Sequence, residues 1–213
     1  MVNAVWQAIW ITTYPWAKLL LGLSVVGRDR FVRGAQIIAS NHVSNVDPVI
    51  MSWAAARELH FLAKQELFDA SPWFSWLIRS LNAWPVRRGL ADRAAIKHCS
   101  YLLRRRQTLV LFPEGTRSRT GELAGFRPGF GMLAVKNRVP VIPTRILGLD
   151  KSWLSWKVDF DFARRGWRRK PSQRTPVTVA FGEPVWPQEF PRGREGYVAM
   201  TTAVEERVRA LGR

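Results

Sequence analysis

Compact apolar runs alternate with longer amphipathic stretches through most of the chain. Gln36–Ser40, Leu59–Ala63, Ala83–Arg87, Thr108–Phe112 and Val139–Ile146 have the length and content of buried strands. Between them Pro48–Arg57, Glu66–Asn82, Asp92–Arg106 and Gly129–Asn137 read as helices. The third of these places Ile96, Cys99, Leu102 and Leu103 on one side, and gathers Arg104 to Arg106 in its last turn, where the helix dipole favours cations. This alternation predicts an α/β fold with a mixed, partly parallel sheet flanked by helices. Farther on, Trp153–Phe162 and Val177–Phe181 alternate as strands do, a basic stretch RRGWRRKPSQR from Arg164 to Arg174 lies between them, and a last helix covers Arg194 to Leu211. No repeat or low-complexity segment interrupts the chain, so residues 28–213 are expected to form one domain behind an N-terminal segment of a different character.

That segment, residues 1–27, carries a single charge, Lys18. It has neither the basic start nor the small-residue cleavage site of a signal peptide. Asn3, Gln7, Thr12, Thr13, Pro15 and Lys18 break its apolar run into two short pieces on either side of Pro15, while Trp6, Trp10, Tyr14 and Trp16 are of the types that favour the headgroup level. The expectation is a motif of two helices lying in the membrane surface. Two helices packed on a soluble core is the alternative.

Composition narrows the partners. In 213 residues, 47% hydrophobic, 33 Lys and Arg stand against 16 Asp and Glu, a formal charge of +17 and a pI of about 11.4. Such an excess calls for an anionic partner: nucleic acid, an anionic bilayer, or a phosphorylated or nucleotide-bearing substrate. The basic residues are not interleaved with aromatics in any nucleic-acid-binding motif, which argues against the first. A single cysteine, Cys99, forms no internal disulfide and asks for no oxidising compartment. His60 and His98 lack companions at metal-ligand spacing, so neither a metal nor an organic cofactor is expected.

In open α/β sheets, ligand-binding groups collect where the chain leaves the carboxyl ends of the strands. Two such exits are unusually polar: SNHVSNVDP after Gln36–Ser40 and PEGTRSRTGE after Thr108–Phe112. In the first, His42 and Asp47 suit a base whose second ring nitrogen is held by a carboxylate. Asp47 before Pro48 equally reads as the N-cap of the following helix, and the two roles are compatible. In the second, Gly115 lets backbone approach a ligand, Thr116 offers a hydroxyl, and Arg117 and Arg119 are suited to bidentate phosphate contact, with Glu114 placed to hold neighbouring side chains.

The block Asn41–Asp47, NHVSNVD, resembles the NHxxxxD signature of the glycerolipid acyltransferases related to 1-acyl-sn-glycerol-3-phosphate (lysophosphatidic acid) acyltransferase. Three further blocks agree in content and order: AKQELF at Ala63–Phe68 leading to WPVRRG at Trp84–Gly89, FPEGTRSR at Phe112–Arg119, and VPVIP at Val139–Pro143. The resemblance covers roughly Phe31 to Leu149, with FGEPV at Phe181–Val185 similar to the family's final strand. It implies that His42 is the general base for attack of an acceptor hydroxyl on an acyl thioester, with Asp47 its orienting partner. Glu114, Gly115, Thr116 and Arg117, together with Arg88 and Lys64, would form the acceptor-phosphate site. No covalent acyl-enzyme is implied, so neither Ser44 nor Cys99 is needed as a nucleophile. Asn45, Val46 and Arg87 depart from residues common in the family and bear on the acceptor rather than on the reaction.

The same resemblance implies the partners: a lysophospholipid acceptor, acyl-CoA or acyl carrier protein as donor, and the anionic cytosolic face of a membrane, to which the chain attaches peripherally or monotopically. Residues 1–27, the tryptophans and Arg164–Arg174 would then make one docking face; a solvated loop is the other reading of the basic stretch. Alternatives that remain at this point are the same chemistry on glycerol 3-phosphate, another lysophospholipid or a lyso-aminolipid, and a non-catalytic membrane-binding protein.

Overall fold

The computed structural model describes residues 4–87, 92–167, 170–171 and 173–212. In chain order the elements are α1 (Ala4–Leu21), β1 (Ser24–Val26), β2 (Gln36–Ser40), α2 (Asp47–Ala55), β3 (His60–Lys64), α3 (Gln65–Asp69), α4 (Pro72–Ser80), β4 (Ala83–Val86), α5 (Arg93–Arg104), β5 (Thr108–Leu111), α6 (Gly129–Asn137), β6 (Val141–Leu147), α7 (Trp153–Val158), α8 (Phe160–Arg164), β7 (Thr178–Phe181) and α9 (Arg194–Ala210). The described strands form one sheet in the order β1-β7-β6-β2-β5-β3-β4. From β6 through β4 every neighbouring pair is parallel, and the sheet turns mixed at the antiparallel β6–β7 pair. Expected and observed fold class agree.

β2 occupies the middle of the sheet, between β5 and β6, and all five of its residues are buried. Its alternation sends Ile38 into one core with Val110, Ile142, Ile50 and Met51, and Ile37 and Ala39 into a second with Leu109, Val141, Leu102 and Met200. A strand covered on both faces cannot move without disturbing both cores, so the loop it feeds is mounted on the most constrained part of the domain.

Three expectations are corrected. The N-terminal segment is not two helices: α1 runs unbroken through Pro15, and residues 24–26 continue into the sheet as β1, parallel to β7. Proline removes a single N–H from the helix ladder. Docking on α2 holds the helix together there, with Trp53 Nε1–H donating to Thr13 Oγ1 at 2.8 Å and Trp6, Ala17 and Leu21 buried. The opposite side leaves Ile11, Trp16 and Leu19 exposed, each above 60% or at it. No described helix is long and apolar enough to cross a membrane.

Second, Glu66–Asn82 is two helices, because Pro72 opens a new one and the Ser71 hydroxyl accepts from Phe74 N–H as its N-cap. Third, Trp153–Phe162 is helical, forming α7 and the start of α8. The buried positions there are Ser152, Ser155, Asp159 and Phe162, spaced three or four apart as a helix requires, whereas Trp153, Val158 and Phe160 are exposed. The inward stripe is mostly polar, so apolar alternation along this stretch followed the solvent side.

Cys99 lies in the second core, 1% exposed, and burial pushes its thiol up to about 12. Native protein is therefore expected to resist iodoacetamide at pH 8 and to react stoichiometrically once unfolded in urea, read by mass spectrometry. Rapid labelling of the native state would contradict the packing of α5.

Candidate functional site

At the end of β2, Asn41 fastens the loop to the neighbouring strand: its Nδ2 donates to Ile146 O at 2.9 Å and its Oδ1 accepts from Ile146 N–H at 2.8 Å. The next residue, His42, is 7% exposed and stacks on Phe112, ring centroids 4.4 Å apart. Its Nδ1 lies 2.6 Å from Asp47 Oδ2. The same oxygen accepts the backbone N–H groups of Val43 at 2.7 Å and Ser44 at 3.0 Å. Asp47 thus folds the loop around its own carboxylate. It does not cap α2, which is the correction to that part of the sequence reading: Val46 holds the N-cap position, and Asp47 is the first helical residue with its side chain turned back. Asp47 Oδ1, fully buried, has no partner among the described residues. An acceptor at Nδ1 places the ring proton there and leaves Nε2 as the basic nitrogen.

The second exit loop closes on the first through the backbone. His42 N–H donates to Glu114 Oε1 at 2.8 Å, Ala124 N–H donates to Glu114 Oε2 at 2.9 Å, and Ser118 N–H donates to His42 O at 2.7 Å. Burial pushes the Glu114 carboxyl above its usual range, with the Ala124 and His42 N–H groups acting against that rise. Glu114 is a tie between loops and holds main chain, where the sequence suggested side chains. Gly115 follows with φ of +74°, and a Cβ there would come within 3.0 Å of the Arg127 guanidinium. The positive φ is what calls for glycine, and the Arg127 guanidinium packs over it; the backbone N–H of Arg127 donates to Pro113 O at 3.0 Å. Thr116 is exposed at the tip of the turn.

Arg117 is engaged from two sides. It donates to Asp159 Oδ1 and to Asp161 Oδ2, both at 2.7 Å, and lies over the Phe162 ring with its guanidinium carbon 4.2 Å from the centroid. Burial acts to lower the Arg117 pKa, but the hydrogen bond to Asp161 and the charges of both carboxylates hold it above its ordinary value. Asp159, fully buried, also accepts from Asn45 N–H at 2.9 Å and from the Ser155 hydroxyl at 2.8 Å. It therefore joins α7, the His42 loop and the Arg117 loop at one carboxylate. Reading 153–162 as a strand concealed this residue; Arg127 could have been sought in the FRPG stretch ten residues beyond Arg117.

Of the remaining candidates, Lys64 ends β3 on the same carboxyl edge of the sheet, exposed and two strands from β2. Arg88 lies outside the described residues, as do residues 168, 169 and 172 of the basic stretch. His60 and His98 are placed elsewhere, His60 against Gln107 Oε1 at 3.2 Å and His98 stacked 3.7 Å from Trp84. No group of three or more metal-binding side chains occurs among the described residues.

A buried imidazole oriented by a carboxylate, mounted where the central strand of a mostly parallel sheet ends, belongs to the α/β proteins that build their chemistry on strand exits. The family model for acyltransferases matches residues 22–147, more than half of the chain, and the chain belongs to that family. It is 26% identical over 215 residues to the 1-acyl-sn-glycerol-3-phosphate acyltransferase of Cocos nucifera, covering 89% of this chain and 66% of that protein. A protein of the same name from Bacillus subtilis (strain 168) is 24% identical over 178 residues, covering 82% of this chain and 80% of that protein. The crystal structure of the 1-acyl-sn-glycerophosphate (LPA) acyltransferase PlsC from Thermotoga maritima matches with a TM-score of 0.70 and 25% identity, over 97% of this chain and 81% of that one. The chain spans between a third and two thirds of the length of three plant relatives that it matches.

Proposed function

We propose that the protein transfers a fatty acyl group from an acyl thioester to the free hydroxyl of lysophosphatidic acid, giving phosphatidic acid and a free thiol. The observation that carries this reading is the 2.6 Å contact between His42 Nδ1 and Asp47 in a loop tied directly to the Glu114–Ser118 loop. His42 Nε2 takes the hydroxyl proton as the acceptor oxygen attacks the thioester carbonyl. The tetrahedral intermediate collapses with loss of the thiolate, which recovers the proton from the imidazolium. Asp47 keeps the ring in the right tautomer and offsets its transient charge. Neither Ser44 nor Cys99 takes part, and no cofactor beyond the acyl donor enters.

The acceptor phosphate sits at the Glu114–Arg117 turn. Gly115 and Thr116 line it, the Arg127 guanidinium over Gly115 supplies charge, Lys64 reaches it from the exit of the neighbouring strand β3, and Arg88 is proposed as a further phosphate-binding cation. Arg117 acts as a strut: with two carboxylates on one guanidinium, the cluster it belongs to carries no net positive charge toward a phosphate. The exposed side of α1, with Ile11, Trp16 and Leu19, lies in the bilayer surface, and the excess of basic residues draws the protein to anionic lipid.

The reaction is tested by thiol release from long-chain acyl-CoA, and from acyl carrier protein, with lysophosphatidic acid and then other lysolipids as acceptors. Release that depends on lysophosphatidic acid is expected. Release with a different lysolipid alone would change the acceptor, and none with either donor would overturn the reading. The phosphate assignment makes a sharper forecast. Arg127→Ala should raise KM for lysophosphatidic acid by roughly tenfold or more while barely affecting monoacylglycerol, as loss of one charge-assisted contact predicts. Arg117→Ala should impair both acceptors alike; a phosphate-selective effect there would restore Arg117 as a direct contact.

A further inference from the structure

Beside the two exit loops lies a cavity of about 500 Å³, of the size that takes a nucleotide or a drug-sized ligand. Neither His42 nor Asp47 nor the Glu114–Thr116 turn lines it. Its wall begins at Arg119, the residue after Ser118, whose N–H donates to His42 O. Arg119, Lys151 and Lys170 contribute three cations to the lining against one carboxylate, Asp150. The Arg119 guanidinium lies over the Trp167 ring, 4.3 Å from its centroid, and Arg165 approaches the same ring at 5.1 Å. The result is a concave wall that is both cationic and aromatic, which suits a phosphorylated purine and does not suit an acyl chain.

Two phosphate-bearing molecules take part in the proposed reaction, and the length of each decides between them. In lysophosphatidic acid the phosphate is joined to the glycerol that carries the reacting hydroxyl, so it stays close to His42. In acyl-CoA the phosphates and the adenine lie at the far end of a long pantetheine arm. A polyanion site next to the catalytic loops but not lined by them matches the second. Resting on the acyltransferase reading, we infer that this cavity holds the 3′-phosphorylated adenine nucleotide end of acyl-CoA, so that the donor is the nucleotide-bearing thioester and not an acyl carrier protein. Arg119, Lys151 and Lys170 meet the phosphates, and Trp167 with the guanidinium on it backs the base. Arg119 thereby gains a role that a solvated arginine on an ordinary loop would not have.

Binding is measured first without turnover, by calorimetry with adenosine 3′,5′-bisphosphate and with CoA. Both should bind the wild type, and the Lys151→Gln/Lys170→Gln variant should bind each roughly tenfold or more weakly, as loss of charge-assisted contacts implies. In steady state the same variant should raise KM for acyl-CoA while leaving KM for lysophosphatidic acid unchanged. Trp167→Leu provides an independent variant whose nucleotide affinity should also fall. The inference is overturned if adenosine 3′,5′-bisphosphate does not bind, if the variants bind it as the wild type does, or if glycerol 3-phosphate displaces it. It is equally overturned if acyl carrier protein alone serves as donor. An active enzyme that fails to bind the nucleotide sinks this inference only, whereas a protein that binds it and transfers nothing sinks the acyltransferase reading.

Discussion

His42→Ala is expected to lower kcat for acyl transfer by about two to four orders of magnitude, the usual share of a positioned general base. The side chain is the proton acceptor in the proposed reaction, and no other imidazole stands at either exit loop: His60 and His98 are engaged with Gln107 and Trp84. The fold should survive the change. The backbone bonds of residue 42 to Glu114 and Ser118 do not need the ring, and the loss of stacking on Phe112 removes a contact from one side of a loop already tied down by Asn41. Steady-state thiol release, paired with a thermal melt, separates the two effects. Turnover retained at the wild-type level would remove His42 as the base. Asp47→Asn is a less clean probe, because Asp47 also accepts the N–H groups of Val43 and Ser44, so that a fall in rate would mix tautomer control with loop geometry.

The second large effect is expected away from the imidazole. Asp159→Ala should destabilise the protein by about 3–5 kcal/mol, the range found when one partner of a buried ion pair is removed, and should reduce activity as well. Asp159 has no exposed surface and accepts three different donors. Its loss leaves Arg117, 17% exposed at its side chain, with only the half-exposed Asp161, and leaves the Asn45 N–H without its acceptor. That N–H belongs to the loop carrying His42, so the effect should reach kcat and not only the unfolding midpoint. Asp159→Asn keeps an oxygen for Asn45 and should fall between the two. Urea denaturation of the three proteins, with kcat measured well below the transition, checks this. A wild-type midpoint in Asp159→Ala would mean that the two loops are held together by Glu114 and the backbone alone.

The site was legible in unequal parts. His42 and Asp47 stand in one short loop, where their chemistry suits a base and its orienting carboxylate while Asp47 before Pro48 reads equally as a helix cap. Glu114 to Arg117 are equally visible as a polar turn after a strand. What each of them touches was not visible, because the partners arrive from distant parts of the chain. Glu114 binds the main chain of residue 42, Arg117 is taken up by Asp159 and Asp161, and Arg127 comes to rest on a glycine twelve residues before it. Asp159 was hidden for a further reason. Apolar residues on the outer side of α7 and α8 imitate strand alternation, and the inward stripe is polar except for Phe162, reversing the sign on which periodicity relies.

By itself the sequence determined the alternation of strands and helices, the buried character of the β2 stretch, and the two polar strand exits at which the candidate site lies. These are local properties, set by side-chain period and by turn residues within a few positions of one another. Tertiary structure alone decided that α1 continues through Pro15 and leads into a strand of the sheet, that Val46 and not Asp47 takes the N-cap position of α2, and that Arg117 is neutralised while Arg127 stands over Gly115. The reason is common to all of them. Whether a proline is tolerated, which way a carboxylate turns and how much charge an arginine has to offer depend on burial and on partners contributed by other elements, and neither is encoded within the span of a motif.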